Sequence, residues 1–368
     1  MNDIQTDTGL SRRTFLRSTG ALILGAGLLK SSGTAWAADV QGADLMTPSG
    51  KHLRGLYPIL ETPFTPDNVL DTDALASEVE FCNRGRLGGM IWPVFASAWS
   101  TLSDAERILG AETILAAGKG GTAAMAIAVQ NNAWDIPTSI RYAKHAADHG
   151  ADAIVAIPPN NGWNVTDDAV VAYYKAIGGA TDLPLIVQTR GTISVELMLR
   201  LFQEVPTMRA TKDEVGDPLK RVGRLIKGTD NKLAVWAAGG GTGELLLQEL
   251  PLGFTGLCPT PQYSDLLQQC MELYWAGKKP EAFDMFSRVQ GFALIPGATE
   301  YMMVARGVFK ETNTFRRQPM EPEAPRPPAS GRPGGGTGGG ARSGKIADSE
   351  KALVREYLQE YLGPWLRA

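Results

Sequence analysis

The sequence predicts an α/β chain that closes into a (β/α)8 barrel, the TIM-barrel architecture, followed by a C-terminal helical region. Three observations carry this expectation. Eight short apolar runs alternate with helical patterns between residues 53 and 262. The runs are apolar on both faces, as parallel strands are when helices cover the outside and side chains fill the inside. The sixth run, Met208-Arg209-Ala210-Thr211-Lys212, ends in a lysine followed by Asp213-Glu214. In a closed parallel barrel the carboxyl ends of the strands face the active site.

Strand one is read over residues 55–60, before Thr62-Pro63-Phe64, with a helix over 71–85. Strand two covers 89–93. Ser103-Asp104-Ala105-Glu106 then forms a capping box, and its helix runs to about residue 117. Strand three is 123–129, with a helix over 136–149; strand four is 153–157, with a helix over 167–178. Strand five is 184–188. Ser194 starts a helix that Pro206 stops before strand six. A helix over 218–227, strand seven at 233–238, a helix over 242–250 and strand eight at 256–259 complete the barrel. Helices follow over 264–276, 280–294 and 299–310, and a last one over 347–362, with Leu353, Tyr357, Tyr361 and Leu362 available for its apolar face.

Both ends of this pattern differ in composition from the barrel. Residues 1–37 read as a twin-arginine signal peptide: Arg12-Arg13, a short apolar Gly-rich run, then Ala35-Trp36-Ala37 before Ala38. The run is too short for a permanent membrane helix, so no stable anchor is expected. Residues 38–52 form an N-terminal linker and 53–262 the barrel. Residues 263–368 form the helical region, with a disordered Pro/Gly-rich insertion at 319–344. The expected partner on the way out is the twin-arginine export machinery, and the expected location is periplasmic or secreted.

With 36 basic and 39 acidic residues, a formal charge of −3 and no long basic stripe, the chain is not read as binding nucleic acid. Cys82, Cys258 and Cys270 have no metal-type spacing and read as core thiols. His145 and His149 lie i, i+4 on an outer helix. Asp148 points elsewhere on it, so the pair is read as a wet helix face and no metal site is assigned. With no histidine at a strand end, a Ser-His-Asp hydrolase is not expected.

Lys212, partly desolvated at the barrel mouth, is the candidate nucleophile toward a carbonyl carbon. Arg190, just after strand five, is either a bidentate clamp for a carboxylate or a solvated loop arginine. Glu61, Asp213 and Glu214 are candidate bases, with a cap or salt-bridge role as the alternative for each. Gly239-Gly240-Gly241-Thr242-Gly243 either offers Gly240 and Gly241 amides to an anion at a helix start or is a plain turn. Tyr57, Trp92, Phe95, Trp99 and Trp163 are candidates for the mouth, with core packing the default for those on strands.

The chain resembles the family of dihydrodipicolinate synthase and N-acetylneuraminate lyase. The resemblance runs from about residue 53 to 316 and resumes in the last helix. It rests on Tyr57-Pro58-Ile59-Leu60-Glu61-Thr62-Pro63-Phe64, on Ser100-Thr101-Leu102-Ser103-Asp104-Ala105-Glu106-Arg107, on Gly150-Ala151-Asp152-Ala153 with Pro158-Pro159, on Asp182-Leu183-Pro184, and on Lys212-Asp213. By this resemblance Lys212 forms an imine with a 2-keto acid, usually pyruvate, and needs no cofactor beyond that covalent imine. A homo-oligomer is expected.

The departures are as specific. Where the family's strand-two loop normally reads Gly-Thr-Thr-Gly-Glu, this chain has Val94-Phe95-Ala96-Ser97-Ala98, with Ser97 the one hydroxyl near a substrate carboxylate. Where strand five normally ends in Tyr-Asn, it has Gln188-Thr189, and an amide does not titrate near neutral pH. Asn160-Asn161 stand where paired tyrosines are common. Two functions follow as expectations. One is a lyase, of aldolase or dehydratase type, acting on a 2-keto acid or sugar-derived keto acid. The other is a catalytically silent barrel that binds a small anion.

The leader carries the first prediction: the mature protein begins at Ala38. N-terminal sequencing of the exported protein checks it, and a start at Met1 contradicts it.

Overall fold

The computed structural model describes residues 45–316 and 346–367. The signal peptide and the insertion at 319–344 lie outside the described residues. The barrel strands are β1 (Gly55–Leu56), β2 (Gly89–Trp92), β3 (Ala124–Ala128), β4 (Ala153–Ala156), β5 (Leu185–Gln188), β6 (Met208–Asp213), β7 (Ala234–Ala237) and β8 (Gly256–Leu257). They pair in parallel in chain order from β2 to β8, and β8 pairs back with β1. Closure comes at Ile59, which bridges Ile91 in parallel. Ile91 donates to the Pro58 carbonyl at 2.9 Å, and Leu60 to the Ile91 carbonyl at 3.0 Å. Strand one is thus shorter than the apolar run suggests: Pro58 has no N–H to give to a ladder.

Seven helices interleave with the strands: α1 (Thr72–Arg84), α2 (Asp104–Ala117), α3 (Ile136–Asp148), α4 (Asp167–Gly178), α5 (Val195–Glu204), α6 (Pro218–Gly228) and α7 (Leu246–Glu249). Their starts follow local chemistry. Asp71, Ser103, Asp135, Thr166 and Ser194 each accept a backbone N–H in the first turn, and Ser103 with Glu106 completes the predicted capping box. The helix expected over 242–250 shrinks to the four residues of α7. Gly243, inside that range, holds φ of 67°, which a right-handed helix does not contain.

Two apolar cores result. The larger lies between strands and helices. The smaller fills the barrel and is built on alanines, among them Ala124, Ala126, Ala128, Ala153, Ala210 and Ala234. Two large rings occupy the space these leave. Tyr57 stacks on Trp236 with centroids 4.1 Å apart. The Tyr57 hydroxyl donates to the His52 carbonyl at 2.5 Å, and Trp236 Nε1 donates to the Leu53 carbonyl at 3.2 Å. Both partners precede β1, so the pair forms the floor rather than the mouth, and Tyr57 takes the core packing that is the default for a strand residue. Trp92 does the same: it joins the outer core and donates to Thr62 Oγ1 at 2.9 Å.

The C-terminal region packs α8 (Ser264–Trp275), α9 (Lys279–Ala293), α10 (Ala298–Ala305) and α11 (Asp348–Tyr357) beside the barrel. Gln268 of α8 accepts the Leu56 N–H at 2.8 Å. Arg306 grips the buried Asp265 through two bonds of 2.8 and 2.7 Å, and Arg367 N–H reaches the same carboxylate. Thr314–Phe315 pairs antiparallel with Pro63–Phe64, which ties the region to the end of strand one. The last helix buries Val354, Leu358 and Leu362, a four-residue repeat. Tyr361, expected on that face, is exposed because it falls one position before Leu362.

Trp236 therefore fills space that the surrounding alanines leave. Trp236→Ala should lower unfolding stability by about 3–5 kcal/mol through the cavity it leaves, measured by urea denaturation. A change under about 1 kcal/mol would show that the interior collapses around the alanines.

Candidate active site

Ala210 and Lys212 are two residues apart on β6 and share its inner face. Lys212 registers with Gln188 on β5 and Trp236 on β7, so its amine rises above the ring-filled floor at the carboxyl end of the barrel. It is 7 % exposed. Lys212 Nζ lies 3.4 Å from Glu214 Oε2. The other oxygen, Oε1, accepts from Gln188 Nε2 at 2.8 Å and lies 3.5 Å from Arg190 Nη1. Burial alone raises the Glu214 pKa. The Lys212 and Arg190 charges and the Gln188 hydrogen bond outweigh it and hold the carboxyl below its ordinary range. Glu214 is an anion at neutral pH.

The scaffold aims this carboxylate through Thr189. Thr189 N–H donates to the Lys212 carbonyl at 2.9 Å, and Glu214 N–H donates to Thr189 Oγ1 at 2.9 Å. Thr189 Oγ1 donates in turn to Asp213 Oδ1 at 2.9 Å. Asp213 faces out of the barrel, where Arg221 binds both its oxygens at 2.8 and 3.0 Å. Of the two neighbouring acids, Asp213 is the clamp and Glu214 the one at the lysine. Arg190 is set by the loops after β4 and β5. Gly162 has φ of 75°, and a Cβ there would stand 2.4 Å from the Arg190 carbonyl oxygen. The Arg190 guanidinium lies over the Phe95 ring at 4.3 Å, so Phe95 belongs to the mouth as expected.

Two buried polar atoms in this cluster have no protein partner: Gln188 Oε1 and Arg190 Nε. One accepts and the other donates.

The other sequence candidates lie apart. Ser97 is fully buried; its hydroxyl donates to the Leu60 carbonyl at 2.5 Å and accepts from Val94 N–H at 3.2 Å. It ties the strand-two loop to strand one. Glu61 sits with Gln262 and Glu78, and its N–H donates to Glu78 Oε1 at 2.9 Å. Burial pushes the Glu61 carboxyl up to about 7 against a hydrogen bond with Gln262. Gly240 and Gly241 do not start a helix. A Cβ at Gly240 would stand 2.6 Å from Glu244 Oε2, so the loop lies against a carboxylate rather than around an anion. Gly240, Glu244, Glu249 and Glu214 line a cavity of about 210 Å³ between the loops after β6 and β7. Asn160 Nδ2 donates to the Trp163 carbonyl at 2.7 Å.

Cys258 was not singled out as a site residue, yet its thiol lies within reach of the Lys212 and Glu214 charges. Burial pushes it up to about 12 despite Lys212, so it stays a neutral thiol beside the amine. All three cysteines are buried and free. No helix of the described residues is long and apolar enough to cross a membrane.

The chain matches the Dihydrodipicolinate synthetase family over residues 52–295. It is 30% identical over 207 residues to 4-hydroxy-tetrahydrodipicolinate synthase of Sphingopyxis alaskensis, covering 55% of this chain and 68% of that one. In fold it is similar to N-acetylneuraminate lyase from Mycoplasma synoviae, with a TM-score of 0.64 at 18% identity over 84% of this chain and 98% of that one. It is equally similar to YagE, a prophage protein of the dihydrodipicolinic acid synthase family from E. coli K12 in complex with pyruvate. That TM-score is 0.64 at 18% identity, again over 84% of this chain and 98% of the other.

Glu61 generates a pH dependence. Its folded pKa is raised from 4.5 to about 7. Its contribution to stability is therefore fully present below about 4.5 and is lost as pH rises through about 7. Glu61→Gln should flatten the fall in Tm across that window. A wild-type slope in the variant contradicts this.

Proposed function

The chain belongs to the dihydrodipicolinate synthetase family, and from that premise we propose that it is an exported lyase whose Lys212 forms a Schiff base with a 2-keto acid such as pyruvate. Enzymes of this family work through a lysine imine and need no separate cofactor. The observation that carries the proposal is the buried Lys212–Glu214 pair at the carboxyl end of β6, held by Gln188 and Arg190. The leader with Arg12-Arg13 supports work in the periplasm or outside the cell, and a homo-oligomer is the expected assembly.

The chemistry follows from the resting charges. Glu214 takes a proton from the Lys212 ammonium, and the free amine adds to C2 of the keto acid. The attacking nitrogen gives one proton to the former carbonyl oxygen, the same carboxyl returns the other, that oxygen leaves as water, and a protonated imine remains. The imine then draws in the electron pair of a bond at C3, either to a proton that passes to Glu214 or to the next carbon. Glu214 thus takes the shuttle role that Gln188 cannot fill. Arg190 can exchange Glu214 for the substrate carboxylate, and its unpartnered Nε favours that exchange. Gln188 Oε1 accepts a hydroxyl from the bound molecule, which favours hydroxylated, sugar-derived keto acids.

Borohydride reduction in the presence of pyruvate, and of a panel of sugar-derived keto acids, tests this. Covalent mass should appear at Lys212 and be absent in Lys212→Ala. Glu214→Gln should slow imine formation by roughly 10²–10⁴-fold, the usual worth of a positioned acid–base group. If native protein traps no keto acid up to pH ~9, where lysine begins to deprotonate, the barrel is a silent binder of small anions.

A further inference from the structure

We propose that Glu112, His145 and His149 form a zinc-binding site on the outside of the barrel, clasping α2 to α3. The two histidines lie one turn apart near the end of α3. The third donor comes from the preceding helix, which sequence spacing does not show. Glu112 Oε1 lies 3.0 Å from His145 Nε2 and 3.7 Å from His149 Nε2. The three donor atoms all fall within 4.8 Å of one another. Tetrahedral zinc with bonds of ~2.0–2.2 Å needs donor separations of roughly 3.3–3.5 Å, so small side-chain rotations complete the set.

Two further features prepare it. His149 Nδ1 lies 2.8 Å from the His145 carbonyl oxygen, an acceptor only, so that nitrogen carries the proton and Nε2 keeps its lone pair for the metal. Two turns toward the start of α2, Asp104 already holds Arg141 at 2.5 Å and accepts from the Tyr142 hydroxyl at 2.6 Å. That contact fixes the spacing of the helices, and with it the distance from Glu112 to the imidazoles. Two imidazole nitrogens and one carboxylate suit zinc, which takes the place of the proton that His145 Nε2 shares with Glu112, with solvent completing the shell on the half-exposed side.

The site is a clasp and not a second catalytic centre. In helices that use a paired-histidine zinc for hydrolysis, a glutamate follows the first histidine as general base. Here that position is Ala146, which is fully buried. Lys212 has no contact with the cluster, so the clasp stands or falls independently of the lyase chemistry.

The test uses the full untagged chain, stripped by chelator and dialysed. Zinc should bind one per chain and raise Tm in a concentration-dependent way that EDTA reverses. Cobalt should give the visible absorption of a tetrahedral N/O site and be displaced by zinc. His149→Ala and Glu112→Gln should each weaken zinc binding by more than the roughly 10–100-fold that loss of an outer partner costs. His52→Ala should change nothing. Absence of a zinc-dependent Tm shift in the native chain overturns the proposal. So does a shift that survives His145→Ala with His149→Ala.

Discussion

The mouth of the barrel depends on one buried carboxylate. Lys212 and Arg190 both approach Glu214, at 3.4 and 3.5 Å, from a buried and a half-buried position. Removing the carboxylate would leave two cations together in low dielectric, which is costly. With it, the cluster carries one net positive charge, and a monoanionic acid brings that to zero. The adjoining cavity is lined by Glu214, Glu244 and Glu249. In the proposed reaction the substrate carboxylate belongs on the Arg190 side of Glu214.

Much of the protein serves to hold that carboxylate still. Thr189 links β5 to the β6 loop through three hydrogen bonds, and Arg221 locks Asp213 on the outer face. The alternation of β6 then sends Lys212 inward and Asp213 outward. Beneath them, Tyr57 and Trp236 fill an alanine-lined interior. A lysine above a dry, rigid floor keeps its amine in one place, which a covalent step requires.

The sequence was most legible where the signal is local. Helix starts at Ser103 and Ser194, the apolar strand runs and the lysine closing β6 need only neighbouring residues to be read. It was less legible where geometry or partners intervene. Pro58 shortens β1, and the left-handed Gly243 cuts the helix expected at 242 to a single turn. Glu214 was one of three candidate acids, because period-two alternation does not say which carboxylate a distant arginine will claim. Ser97 offered the right group, but its hydroxyl serves the Leu60 carbonyl. Glu112 was invisible as a partner of His145 and His149, since only helix packing brings α2 beside α3.

Under the mechanism proposed above, exchanging a tyrosine for a carboxylate as proton carrier has a physical consequence. A tyrosine is protonated at rest and begins by giving. Glu214, held below its ordinary pKa by Lys212 and Arg190, is deprotonated at rest and begins by taking. The first proton it takes is the lysine's own, and the loss of that ammonium charge removes part of what kept its pKa low. A substrate carboxylate that draws Arg190 away removes more. Glu214 thus becomes a weaker acid and stronger base as the reaction proceeds, and it recovers its resting state when the protonated imine restores a positive charge beside it. The group that neutralises the nucleophile is then also tuned by it, and the glutamine beside it orients the shared carboxylate through Nε2 and leaves Oε1 to the substrate.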